Sequence, residues 1–209
     1  MSQSFAFQNC IEFLKDRFRT SLPGKKSHMA LWPEYRDLLN NEKKSPVHSA
    51  VLLLIYPDKN NFANTVFIKR NSYKGYHSAE ISLPGGKVDK EDLHYSYTAV
   101  RECNEEIGII KDDIEILSAL SDLYIPVSNF LIHPYVGYIN YCPNFSPDKQ
   151  EVDTIIKIDI HSLVNLKLKY FDKTFQNNLY SVPYFPLFEH QLWGATAMIV
   201  NEFRDLYKG

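Results

Sequence analysis

Residues 48–56, HSAVLLLIY, form a run of apolar positions as long as a strand and too short for a helix that buries one face. Such a run predicts a strand covered on both sides. Asp58-Lys59-Asn60-Asn61 reads as a turn, and residues 65–70, TVFIKR, pair back as the second arm of a hairpin. Residues 114–123, 132–139 and 151–158 carry further strand patterns. Helical spacing appears in residues 4–19, where Phe7, Ile11, Leu14 and Phe18 recur every three or four positions. It appears again before Gly108, with Val100, Cys103 and Ile107, and in residues 193–207, with Ala197, Met198, Val200 and Phe203. Residues 20–45 are polar and interrupted by Pro23-Gly24 and Pro33, which predicts mostly connection. A loop with Pro143 and Pro147 spans residues 140–150, and a short helix is expected near 163–168. Strands separated by helices, with hairpins at the edges, imply an α/β fold with a mixed β-sheet covered on both faces.

The apolar face of the helix before Gly108 leaves an acidic face opposite. Residues 83–109 read LPGGKVDKEDLHYSYTAVRECNEEIGI. At 100° per residue, Glu105 lies about 60° to one side of Glu102 and Glu106 about 40° to the other. Like charges at this spacing destabilise a bare helix. Their crowding points to a cation, and an all-oxygen donor set favours a hard ion, Mg2+ or Mn2+, over zinc. Pro84-Gly85-Gly86 precedes the helix, and adjacent glycines let the backbone come close to a ligand. Arg101 can reach Glu105 one turn on, and Gly108 is suited to cap the helix C-terminus. Glu102 and Glu106 are the first choices for direct ligands, and Glu105 is a ligand or a base. Glu105 and Glu151 are both candidates for the base that activates water. Lys69 and Arg70 end the hairpin strand, where the arginine fork suits phosphate. His77 and Lys87 flank the glycine loop and are candidates for substrate contact. Trp193 reads as a packing residue.

Composition narrows the partners. The formal net charge is −2, which gives no global field for nucleic acid, so an anionic substrate has to be met locally. No apolar run reaches membrane-spanning length. Cys10, Cys103 and Cys142 are scattered and lack metal-ligand spacing, so they read as reduced thiols of an intracellular protein, with Cys103 in the core. Glu12 and Asp16 speak against a mitochondrial presequence in the first helix, and no secretory signal is apparent. The cytoplasm is the default location, with peroxisome and mitochondrion open. Oligomeric state stays open too.

The acidic helix and its glycine loop resemble the Nudix box. That signature runs Gly, five residues, Glu, seven residues, then Arg-Glu-apolar-x-Glu-Glu-x-Gly-apolar. Gly86 fits the first position, and Arg101 through Ile109 fit the end. Asp92 stands where Glu is usual, one residue further from Arg101 than the usual spacing. Both departures resemble the coenzyme A diphosphatase branch, whose box is similar to GGKxDxxDxxxxxTAxRExxEEIG. Arg70, His77 and Ser82 match that branch's upstream motif, while Asn71, Lys74, Gly75, Ala79 and Glu80 depart from it. His133-Pro134, Glu151-Val152 and Leu192 through Ala197 look like its later segments.

The resemblance covers residues 47–200. It implies an α/β/α sandwich, with residues 1–45 as an N-terminal helix and connection and 46–209 as the hydrolase domain. It adds the Gly85 carbonyl to the metal ligands. It implies hydrolysis of coenzyme A or its thioesters to a 4′-phosphopantetheine species and adenosine 3′,5′-bisphosphate. A broader hydrolase acting on ADP-ribose, dinucleotides or nucleoside triphosphates is the alternative, and a non-catalytic binding module is the second.

Overall fold

The computed structural model describes residues 6–39, 45–71 and 80–209. Its centre is β1 (Val47–Pro57), which lies parallel to β7 (Phe130–Tyr138) on one side. On the other side β1 is antiparallel to two strands in turn. Its C-terminal half pairs with β2 (Ala63–Arg70), and its N-terminal half with β4 (Gly85–Lys87). β2 also carries β3 (Ile81–Ser82) and β8 (Val152–Asp159), and β7 carries β5 (Glu115–Ala119) and β6 (Leu123–Ile125).

The apolar run of β1 follows from its position. Leu53 and Ile55 point into one core, packed with Phe7, Ile11 and Leu14 of α1 (Phe7–Arg17) and Val200, Phe203 and Leu206 of α5 (Gly194–Lys208). Ala50, Leu52 and Leu54 point the other way, into a core with Ala99, Cys103 and Ile107 of α3 (Tyr95–Ile107). The sheet is therefore mixed and covered on both faces, as the hydrophobic pattern predicts, and the molecule is an α/β/α sandwich.

Three segments differ from the sequence expectation. Residues 114–123 are two strands rather than one, because the chain leaves the sheet after Ala119 and pairs with β7 again at Leu123. The connection at 20–45 contains α2 (Lys25–Met29) and a 3-10 turn, Glu34–Leu39. Its His28 ring is buried against the Glu202 carboxylate at 2.8 Å, and the same carboxylate accepts from Gly24 N and Ser121 N at 3.2 Å. The third difference is a second sheet. After α4 (Ile160–Asn165), capped by Asp159 accepting from Ser162 N at 2.8 Å, the chain forms β9 (Lys169–Phe175), β10 (Asn178–Leu187) and β11 (His190–Trp193). The β9–β10 turn is Gln176-Asn177, both at positive φ. A two-residue turn of this kind normally announces itself as Asn-Gly, so the hairpin is silent in the sequence.

Candidate active site

The glycine loop and the acidic helix are brought together by β4, which lies along β1 with Ala50 opposite Gly86 and Val51 opposite Gly85. A side chain at Gly85 has no room. Its Cβ would fall 2.4 Å from the Ala50 carbonyl oxygen. Gly86 is required for a different reason. A Cβ there would fall 2.3 Å from Glu102 Oε1, so glycine lets that carboxylate rest on the loop. The helix ends at Gly108, which is left-handed (φ 75°) and donates its N–H to Asn104 O at 2.8 Å. Its first turn is held by Tyr95, stacked 3.7 Å over the His133 ring, which in turn bonds His48 and Asp122 at 2.9 and 2.8 Å.

Along α3 the three glutamates have different surroundings. Glu106 is next to the core residue Ile107 and is 1% exposed. Its Oε2 accepts the Gly85 N–H at 2.8 Å. Its Oε1 lies 3.2 Å from Arg70 Nη1 as an ion pair, yet accepts no hydrogen bond among the described residues. Burial pushes the Glu106 acid up to about 8, and the neighbouring charges of Glu102 and Glu151 add to that, against Arg70 and the Gly85 N–H. Burial also raises Glu102. Glu105 is exposed.

Arg101 organises this face. Its Nη1 donates to Glu102 Oε1 at 3.0 Å and Glu105 Oε2 at 2.8 Å, the pairing expected from the spacing. Nε and Nη2 fork onto Asp92 at 3.1 and 3.0 Å, and Nη2 also donates to Lys87 O at 3.0 Å. Asp92 further accepts from Thr98 Oγ1 at 2.7 Å and Asp89 N at 3.1 Å. The Arg101 fork holds the Asp92 carboxyl down to about 2. Asp92 is thus a positioning residue that sequence reasoning left without a role. Its one signal was the departure from the usual Glu.

The other candidates separate. Arg70 joins the site, with Nη1 3.4 Å from the Gly85 carbonyl oxygen and Nη2 3.7 Å from Glu151 Oε2. Glu151 stands on the rim, within electrostatic reach of Glu102 and Glu106. Lys69 pairs instead with Asp153 on β8 at 2.8 Å. The ladder register shifts between Lys69 and Arg70, and the two side chains find different partners. The Lys87 ammonium lies 5.9 Å from the Phe130 ring centre. His77 lies outside the described residues.

Among the described residues, no three Asp, Glu, His or Cys side chains are gathered closely enough to cage a metal. Arg101 and Arg70 balance the carboxylates here. The donor set nevertheless fits a hard divalent cation. It is all oxygen, one oxygen of a buried carboxylate lacks a hydrogen bond, and burial has raised two of the acids, a cost that a cation would offset.

The family model for the NUDIX domain matches residues 46–174. The chain belongs to the Nudix family. Over 157 residues it is 28% identical to the Nudix hydrolase NudL of Yersinia enterocolitica, covering 74% of this chain and 78% of that one. Over 159 residues it is 26% identical to the human mitochondrial coenzyme A diphosphatase NUDT8, covering 75% of this chain and 67% of that one. The solved MutT protein of Methanosarcina mazei superposes with a TM-score of 0.50 over 80% of this chain and 94% of that one, at 13% identity, a likeness of fold. This Nudix protein is a hydrolase, and the acidic helix, glycine loop and Arg70 form its candidate centre. No helix among its described residues is long and apolar enough to cross a membrane.

Proposed function

We propose that this Nudix hydrolase cleaves the diphosphate of coenzyme A or its thioesters, releasing a 4′-phosphopantetheine species and adenosine 3′,5′-bisphosphate. The observation that carries the chemistry is the buried Glu106 carboxylate, anchored by the Gly85 N–H, with one oxygen left for a cation beside Arg70. Support for coenzyme A comes from the Asp92 version of the box and from the human relative named as a coenzyme A diphosphatase.

In this reading Glu102, Glu106 and the Gly85 carbonyl, with Glu105, would hold Mg2+ or Mn2+, which would supply charge neutralisation at the phosphoryl oxygens and acidify a water. Arg70 offers its fork to the diphosphate from the rim. Arg101, clamped on Asp92, keeps Glu102 and Glu105 aimed. Glu105 is tied to Arg101 at 2.8 Å, whereas Glu151, equally exposed, is only loosely held by Arg70 at 3.7 Å. We assign the general base to Glu151 on that contrast. We infer that the protein acts inside the cell, where the free Cys10, Cys103 and Cys142 would stay reduced.

A substrate panel tests the assignment. Coenzyme A, acetyl-coenzyme A, dephospho-coenzyme A, ADP-ribose and a dinucleoside polyphosphate are incubated with the protein and Mg2+ or Mn2+, and products are separated by chromatography. Preferred cleavage of the first two is expected. Equal cleavage of all five would replace this reading with the broader one, and cleavage of none would overturn both.

A further inference from the structure

The second sheet presents one face built of aromatic side chains with two lysines on it, Lys169 at its end and Lys173 set among the rings. Antiparallel register places Lys173 opposite Tyr180, Phe171 opposite Val182 and Tyr184 opposite Trp193. Directly opposed residues share a face. The Lys173 ammonium sits 3.8 Å from the Trp193 ring centre. Trp193 meets Phe171 edge to face at 5.9 Å, and Phe171 meets Tyr184 the same way at 5.7 Å. Further along, Tyr35 stacks on Phe175 at 4.9 Å and meets Tyr180 at 5.5 Å.

Three features distinguish Lys173 from a packing lysine. Both it and Trp193 are partly open to solvent. Among the described residues no carboxylate stands within ion-pairing distance of it, unlike Lys69 with Asp153. Burial lowers its pKa, so its charge is kept at a cost that an apolar residue over Trp193 would avoid.

Its place in the fold gives that cost a use. β11 lies against β3, the strand that follows Glu80. Glu80 is bonded through its carbonyl oxygen to Arg70 N at 3.2 Å and lies within electrostatic reach of Lys173. Glu80 therefore stands beside Arg70 and within electrostatic reach of the cation over Trp193. β3 thus contacts both β2, which carries Arg70, and β11, which carries Trp193.

We propose that Lys173, held over Trp193, is a second anion subsite that binds a phosphomonoester carried by the substrate's adenosine, away from the diphosphate that is cut. The inference rests on the coenzyme A reading, whose adenosine carries such a group. Lys173 supplies the charge, and Trp193 fixes the ammonium in place and offers an aromatic surface beside it.

Calorimetric titration of the full chain in Mg2+ with adenosine 3′,5′-bisphosphate and with 5′-AMP tests this. The parent should bind the bisphosphate about tenfold more tightly, the value of one charge-assisted contact. Lys173→Met should erase that preference and leave AMP affinity unchanged, which also shows that the variant is folded. Lys173→Arg should restore most of it. A Met variant that keeps the preference, or that weakens both ligands alike, overturns the subsite. A parallel hydrolysis assay of the parent separates the two ideas. If the parent leaves coenzyme A intact while the Lys173-dependent preference holds, the substrate assignment falls and the subsite stands. If it cleaves coenzyme A and Lys173→Met changes nothing in the titration, the reverse is true.

Discussion

At the scale of single residues, the site depends on two glycines and one arginine more than on the number of its acids. Gly86→Ala puts a methyl group where the Glu102 carboxylate lies, and the far end of a flexible side chain yields easily. Stability should change by less than about 1 kcal/mol, while activity drops because Glu102 has moved. Gly85→Ala meets backbone instead and should destabilise the fold itself. Thermal melts alongside turnover separate the two cases. Asp92→Asn removes one arm of the Arg101 fork and should cost about 2 kcal/mol, less than a fully orphaned buried charge because Glu102 and Glu105 still face Arg101. The Asp92 pKa is depressed in the folded state, so its stabilisation is present above pH 3.8 and disappears as pH falls through about 2. The three glutamates and the Arg101–Glu105 pair were legible because 3.6-residue geometry alone sets them on one face. Asp92 was not, because its partner lies across a loop whose path no local rule gives. The proposed choice of Glu151 over Glu105 rests on which arginine each one meets, which the sequence does not give. Glu151→Gln should lower kcat by about a hundredfold or more with little change in KM, and Glu105→Gln should cost less. A larger loss in the Glu105 variant would move the base to that residue.

Elements show the same division. β1, β2, β7, β8 and the three long helices were readable because each either buries both faces or shows a clear stripe. β9 was not. One of its faces is exposed and the other only half-covered, and the half-covered face mixes Lys173 with Phe171 and Phe175, so the sequence shows little contrast between inside and outside. The sequence pattern marks residues 4–19 as an amphipathic helix that can dock on the domain. In the structure Ile11 and Leu14 are fully buried in the core that also takes Leu53 and Phe203. Ile11→Ala should therefore cost about 2–5 kcal/mol, with the whole chain still melting in one transition. A separate early transition on calorimetry, with the main one unmoved, would show that α1 is an appendage.

For the whole molecule, the active centre is a place where folding and function oppose each other. Packing α3 on the sheet buries Glu106, and burial raises its pKa from 4.5 to about 8. The folded chain thus holds a proton that the unfolded chain gives up. Without divalent ions, this contribution to stability is full below about pH 4.5 and is lost as pH rises through about 8. A bound cation competes with that proton. Mn2+ should accordingly raise the melting temperature more at about pH 8.5 than at about pH 6, and Glu106→Gln should flatten both trends. Glutamine resembles the neutral acid that burial favours, so the variant is expected to fold.

That expectation makes Glu106→Gln the most direct test of the site. Parent and variant are purified and assayed for release of adenosine 3′,5′-bisphosphate from coenzyme A in Mg2+ and in Mn2+, with a thermal melt of each. Turnover should fall by about a thousandfold while the melting temperature stays within a few degrees of the parent's. A variant that melts like the parent and hydrolyses as fast as it would contradict the role given to Glu106, and with it the cation site on α3.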